Sequence, residues 1–366
     1  MRKAVVHGCF NTTNFGDLLL LEIIAKYLKD KWDIDSNTLR VPKSMELEYC
    51  TTDRPSFLDF ISPKFAVYGG GGYLEDDGGT EAGKKVLLRY SLPAKVWNFF
   101  KVPYALVGAG AGPIVSDEGK SKIKYICKNA NTIAIRDEKS IDLLKSIGVN
   151  RPIELTADWA LSLKTEDIPK NRYYDMDAVR KTAGDRKIIG FHLEKIYDDK
   201  ERFAKFCALN FFKDAEFKDK FHIIFFYDYS AGDLDWLKNE INKIDGLSYT
   251  IQPRMNHWTT VDFLRKCDAV LTTKLHVAIV SITFNVPVFG FSFHEKSARF
   301  FNEVGRGDYQ KMWDGDVSCI ESWMNLIKDF NNNAWKVDAE KMNRIKALSL
   351  KNREVLDSYI QTRISK

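Results

Sequence analysis

Lys274 and His276 stand two residues apart in Asp268-Ala-Val-Leu-Thr-Thr-Lys274-Leu-His276, and Lys296 follows after the next apolar run. Ala269 to Leu271 predicts a short buried strand, broken by Thr272 and Thr273. From Leu275 the apolar residues recur at helical spacing, with Leu275, Ile279 and Ile282 on one face. Asn285 ends that helix, Pro287 follows, and Val286 to Phe293 predicts a second strand. Lys274 and His276 therefore fall where a strand hands over to a helix, and Lys296 just past the end of the next strand. In an open parallel sheet the carboxyl ends of the strands line the ligand crevice. Three potential cations on one rim, beside a helix N-terminus that favours anions, suit an anionic ligand and a proton transfer. The plainer alternative is a buried strand–helix–strand carrying surface lysines.

The first half repeats the pattern. Lys3 to Cys9 predicts a buried strand, then comes the turn-rich Asn11-Thr-Thr-Asn14-Phe-Gly16-Asp17, then an amphipathic helix over Leu18 to Trp32. Asp17 is read either as the cap of that helix or as a substrate contact. Phe65 to Tyr68 predicts a strand running into Gly69-Gly70-Gly71-Gly72, whose glycines admit a close backbone or ligand. Pro103 to Val107 ends in Gly108-Ala-Gly110, Thr132 to Ile135 ends in Arg136, and Asp137 caps the helix Glu138 to Ile147. Glu154 to Thr156 precedes Ala157-Asp158. Each strand ends in glycine, a charge or a cap, all on one rim. The first loop lacks the G-x-G-x-x-G and G-K-[ST] patterns, so neither a dinucleotide nor a P-loop site follows.

These elements need about two domains, as 366 residues suggest. The boundaries read as a Rossmann-like domain over 1–165, a polar linker over 166–186, and a second Rossmann-like domain over 187–335. A charged C-terminal helix, 336–366, is expected to pack back on the first domain. The net charge of +5 is mild. It suits anionic small molecules or a lipid surface and is too diffuse for nucleic acid. Six scattered cysteines without C-x-x-C spacing read as core thiols of a reduced compartment. The N-terminus lacks the apolar region of a signal peptide, and no apolar run is long enough to span a membrane. A cytoplasmic location is expected, with peripheral contact at the inner face of the plasma membrane left open.

The ordered series Asn14-Phe-Gly16-Asp17, Tyr68-Gly-Gly-Gly-Gly72, Ala134-Ile-Arg136-Asp137, Ala157-Asp158, Thr273-Lys274-Leu-His276, Val286-Pro287-Val288 and Lys296 resembles the polysaccharide pyruvyltransferases. The resemblance implies an α/β fold of two Rossmann-like domains facing across a cleft, as in GT-B glycosyltransferases. It implies transfer of the pyruvyl group of phosphoenolpyruvate to a sugar of a cell-surface polysaccharide or its undecaprenyl-linked precursor, giving a ketal and phosphate. Phosphoenolpyruvate is then a co-substrate, and no metal or other cofactor is expected. His276 is the expected acid and Asp17 the residue that orients or deprotonates the acceptor. Arg136, Lys274, Lys296 and His294 are expected at the donor, and Asn14, Gly16, Gly70, Gly71 and Asp158 at the acceptor. In one departure, Lys274 stands where the family usually has Arg two residues before its His. Lys keeps the charge and loses the bidentate fork.

His7 and His222 read as structural, whereas His192 ends a strand of the second domain. A nucleotide-sugar glycosyltransferase on the same fold is the alternative function, since Glu295 and Glu303 have E-x7-E spacing. A non-catalytic binder of glycan or lipid precursors is the third, and it has no need of cations at strand ends. Arg306-Gly307-Asp308 matches an adhesion tripeptide and reads as a turn.

Overall fold

The structure, a computed structural model, describes residues 3–39, 41–42, 44–51, 57–193, 212–227, 234–292, 295–314, 316, 318–328 and 335–364. The chain divides into two compact units. One comprises Met1–Ser162 with Ile345–Lys366, the other Leu163–Arg344.

The first unit holds β1 (Ala4–His7), β2 (Ser36–Asn37), β3 (Cys50–Thr51), β4 (Ala66–Tyr68), β5 (Gly71–Leu74), β6 (Tyr104–Ala111), β7 (Thr132–Ile135) and β8 (Glu154–Leu155). They run in the order β3-β2-β1-β4-β6-β7-β8, with β5 paired to β6. The pairings are parallel, so successive strands are joined by crossovers, mostly helices. Parallel strands are covered on both faces, which explains their near-continuous apolar runs. Val5, Val6, Ile133 and Ile135 are all buried.

The pairing register shifts beside glycines in both β5 and β6. The sequence reading ends the latter strand at Val107, yet it runs on to Ala111. Gly108 takes φ +79° and shifts the register to β7 between Val107 and Ala109. The Trp159 indole fills the bend and its Nε1 donates to the Val107 carbonyl at 3.0 Å. The helix Glu81–Phe99 contains Pro93, which cannot donate to the Arg89 carbonyl one turn back. The His7 ring stands 3.2 Å from that carbonyl, so Nε2 is the protonated nitrogen. His7 is thus structural.

The second unit holds β9 (Lys187–Leu193), β10 (Phe221–Tyr227), β11 (Tyr249–Gln252), β12 (Ala269–Thr272), β13 (Val288–Ser292) and β14 (Gln310–Met312), in the order β11-β10-β9-β12-β13-β14. All five pairings are parallel. His222 is buried between the hydroxyls of Ser248 (2.8 Å) and Thr250 (3.0 Å), and burial lowers its pKa, so it too is structural. Arg306 stacks on Tyr309 and Trp335 and pairs with Asp308 at 3.1 Å, which makes the Arg-Gly-Asp tripeptide a turn.

The linker expected over 166–186 is not one. Its residues form turns and the helix Met176–Ala183 inside the second unit. The Tyr174 N–H donates to the Asp262 carboxylate at 2.7 Å, and Lys266 donates to the Tyr174 carbonyl at 2.7 Å. A polar composition hid this role, because the contacts holding the segment are themselves polar. The last helix runs from Ala339 to Ile364, and from Ile345 onward it belongs to the first unit. There Tyr27 and Trp32 both donate to Asp357, and Lys351 pairs with Glu154.

The bend at Gly108 is testable. An added Cβ would lie 2.6 Å from Trp159 at a positive φ. Gly108→Ala should lower stability by about 2–4 kcal/mol, through left-handed strain and overpacking together. Urea unfolding should show a lower midpoint with an unchanged slope.

Candidate active site

A doubly wound parallel sheet opens a crevice where its strand order reverses. In the second sheet that point lies between β9 and β12, and in the first between β1 and β4. The sequence-predicted residues divide between these two rims.

On the second rim, β12 ends at Thr272 and the helix Leu275–Thr283 begins three residues later. The Thr272 hydroxyl accepts from the Lys274 N–H at 2.9 Å, which sets the turn between strand and helix. Lys274 occupies the N-cap position, with an extended backbone and no side-chain cap bond. Its carbonyl accepts the first helical bond, from Ala278 at 3.2 Å. His276 is the second residue of the helix and half-buried. Past the C-cap Phe284, Asn285 takes a φ of 58°, the left-handed conformation common after a helix. Lys296 is exposed and is the second residue of the helix Glu295–Glu303, which follows the adjacent strand β13. The helices carrying His276 and Lys296 touch. His294 lies outside the described residues. His192, near the end of β9, is buried beside Phe226 on the other side of the reversal point.

On the first rim, the helix Phe15–Trp32 is capped by Asn14, not by Asp17. The Asn14 Oδ1 accepts from the N–H groups of Gly16 (2.9 Å) and Asp17 (3.3 Å). Asn14 and the buried Gly16 thus shape the helix start. Asp17 lies half-buried in the first turn of that helix. Its neighbour Cys9 is a protonated thiol: burial first, then the Asp17 carboxylate, pushes it up to about 11. Gly71, at φ +113°, lies against Tyr73 and the Asp17 carboxylate. Gly70 packs on Leu20 and Trp159 and is interior.

Arg136 and Asp158, expected at the donor and the acceptor, form one ion pair in the first unit. Arg136 follows β7, and its Nη1 stands 3.2 Å from the Asp158 carboxylate. The side chains are 14% and 6% exposed. Asp158 also accepts from the Ala160 N–H at 3.0 Å. Asp158 is therefore the anchor of Arg136 and has little surface for an acceptor. Sequence reading missed the bed on which the guanidinium rests. A Cβ on Gly110 would come within 2.7 Å of it, and one on Gly72 within 3.1 Å. The C-terminal helix fixes the anchor. Ser349 Oγ donates to the Asp158 carbonyl at 2.6 Å, and Asn352 donates to the Ala157 carbonyl at 2.7 Å.

Glu295 and Glu303 sit at opposite ends of one nine-residue helix, so the E-x7-E spacing does not bring them to one rim. Among the described residues, no three His, Cys, Asp or Glu side chains gather as metal ligands do. Open hollows beside Asp185–Lys187 and Asp219–Phe221 lie at the amino ends of β9 and β10, away from the reversal crevice. No helix among the described residues is long and apolar enough to cross a membrane.

Known structures share this architecture. UDP-GlcNAc 2-epimerase from Neisseria meningitidis, bound to UDP-GlcNAc, is 13% identical with TM-score 0.59, covering 98% of this chain and 100% of the other. UDP-GlcNAc 2-epimerase from Methanocaldococcus jannaschii is 14% identical with TM-score 0.60, covering 97% and 99%. The trehalose 6-phosphate synthase of Burkholderia multivorans is 10% identical with TM-score 0.54, covering 100% and 98%. At these identities the likeness establishes the fold, a GT-B-type pair of Rossmann-like α/β domains. Among curated proteins no sequence matches significantly. The family model for polysaccharide pyruvyl transferase matches residues 14–295, from the capping Asn14 to the helix that carries Lys296. With more than half of the chain matched, the protein belongs to the polysaccharide pyruvyl transferase family.

Proposed function

We propose that the protein transfers the pyruvyl group of phosphoenolpyruvate to two hydroxyls of a sugar in a surface polysaccharide or its lipid-linked precursor. The observation that carries this reading is His276 in the first turn of a helix at the strand-order reversal, with Lys274 at that helix's N-cap. The family match supports the transferase class.

Phosphoenolpyruvate presents a carboxylate and a phosphate on a small enol frame. Lys274, Lys296 and the first-turn N–H groups of the His276 helix are the donors assigned to them. Arg136 keeps its assignment as a donor-binding cation, with Asp158 fixing where its remaining N–H groups point. His276 protonates the methylene carbon, which becomes the methyl group. The first sugar hydroxyl adds to the cationic carbon and loses its proton. The carbon–oxygen bond to phosphate then breaks, inorganic phosphate leaves, and the second hydroxyl closes the ketal. One of the two hydroxyl protons restores His276, and the other leaves with phosphate or solvent. Asp17 is assigned to orient or deprotonate the acceptor. The chemistry needs no metal.

Phosphate release from phosphoenolpyruvate with a surface-glycan acceptor, against turnover of UDP-sugars, separates this reading from a glycosyltransferase. His276→Gln should stay folded, bind donor with modest loss, and lose turnover by about 10²–10⁴-fold. Near-normal turnover of that folded variant would remove His276 from the mechanism.

The anchor of Arg136 gives a second test. Asp158→Asn leaves a largely buried guanidinium with only its longer ion pair, to Asp137 at 3.8 Å, so stability should fall by about 2–4 kcal/mol. Arg136→Met in the same chain should recover part of that loss while donor affinity falls further. Independent, additive losses in denaturant unfolding would show that the pair is not coupled.

A further inference from the structure

The helix Glu81–Phe99 has two apolar stripes, and the first unit uses one of them. Leu87, Tyr90, Ala94 and Trp97 are buried, at the spacing of one helix face. Leu88, Leu92, Lys95 and Phe99 recur at i, i+4, i+7 and i+11 on the opposite face. Phe99 is 79% exposed, and Leu88, Leu92 and the following Phe100 are each about half exposed. The Phe99 and Phe100 rings meet edge-on, 5.1 Å apart. The Trp97 indole donates to the Phe60 carbonyl at 3.0 Å, which brings the short helix Phe57–Ile61 against this end with Leu58 69% exposed. These five are more than half of the large exposed hydrophobics among the described residues.

From Lys85 to Lys101 the charges are of one sign, whereas Glu81, one turn earlier, is paired with Lys84 at 2.7 Å and Asp59 neighbours Leu58. Lys85, Arg89, Lys95 and Lys101 carry four positive charges, and no Asp or Glu lies between Lys85 and Lys101. None of the four has an ion-pair partner among the described residues. Long basic side chains beside exposed Leu and Phe match an anionic interface: the rings enter the acyl boundary and the cations stay at the headgroups. A second copy of this face would oppose like charges, which disfavours self-association. The helix also passes the first rim, since the Arg89 carbonyl meets His7 at the end of β1. Tyr90 stacks on Tyr73 with ring centroids 4.8 Å apart.

We propose that this outer face of Glu81–Phe99, with Phe100 and Lys101, docks the protein onto an anionic lipid bilayer. A lipid-linked acceptor would then be met at the membrane surface, beside the rim that carries Asp17. The docking itself is read without donor, acceptor or turnover, so its failure and the failure of the transferase reading are separate results.

Sedimentation of the full chain with vesicles tests it. Vesicles of phosphatidylglycerol mixed with phosphatidylcholine should bind the protein, less so as salt rises, and phosphatidylcholine alone should not. Lys85→Gln with Lys95→Gln should weaken partitioning by roughly fivefold per charge removed. Leu92→Ser with Phe99→Ser should abolish it with thermal unfolding unchanged, because both side chains are exposed. Equal binding to neutral vesicles, or unchanged binding by either double variant, would overturn the proposal. So would absent vesicle binding together with a dimer in light scattering that Leu92→Ser with Phe99→Ser dissolves, which assigns the face to a second copy.

Discussion

A parallel strand is left only by a chain that crosses back over one face of its sheet. Where strand order reverses, the outgoing chains turn to opposite faces and nothing covers the space between them. Two such reversals position most of the candidate residues. In the second sheet, β9 and β12 are neighbours, and the turn after β12 delivers Lys274 to a helix N-cap and His276 to its first turn. In the first sheet, β1 and β4 are neighbours, and the loop after β1 delivers Asp17 beside the glycines after β4. The helix termini add a partial positive charge at each place. An anion placed there would meet backbone N–H groups as well as side chains.

The same sheet carries a largely buried cation, which is expensive. Arg136 is carried onto the first rim by β7 and lies against the backbone at Gly72 and Gly110. A guanidinium held there without a counter-ion would carry a heavy desolvation cost. Asp158 offsets that cost, and the C-terminal helix holds Asp158 by its main chain through Ser349 and Asn352. The helix that closes the chain therefore belongs to the positioning of a rim cation, 191 residues from Ser349 back to Asp158 in sequence.

Much of the frame was legible in the sequence. The strand–helix–strand around Lys274 has its expected order, and Asp137 caps the expected helix by accepting from the Ser140 N–H at 2.8 Å. What could not be read is where each polar side chain spends its hydrogen bonds. Asn14 and Asp17 are both good caps by type, and only the geometry assigns the cap to Asn14 and frees Asp17 from that duty. Arg136 and Asp158 are opposite charges far apart in sequence, and nothing local says that they pair. Gly70 and Gly110 look alike as residues, yet one fits Leu20 and Trp159 and the other a guanidinium. The polar run over 166–186 resembled a linker because its tie to Asp262 and Lys266 is itself polar. An outward stripe of Leu and Phe on Glu81–Phe99 could not be told from a core stripe by periodicity, since burial decides between them.

The central claim is that a proton from the protein is added to an enol carbon before the sugar is joined to it. The most direct measurement is mass spectrometry of the product formed in deuterated water from phosphoenolpyruvate and oligosaccharides of the host's own surface polysaccharide. The account predicts a pyruvate ketal whose methyl group carries one solvent deuterium, formed together with inorganic phosphate. A pyruvylated product with an unlabelled methyl group, or hexose transfer from a nucleotide sugar with phosphoenolpyruvate untouched, would contradict it.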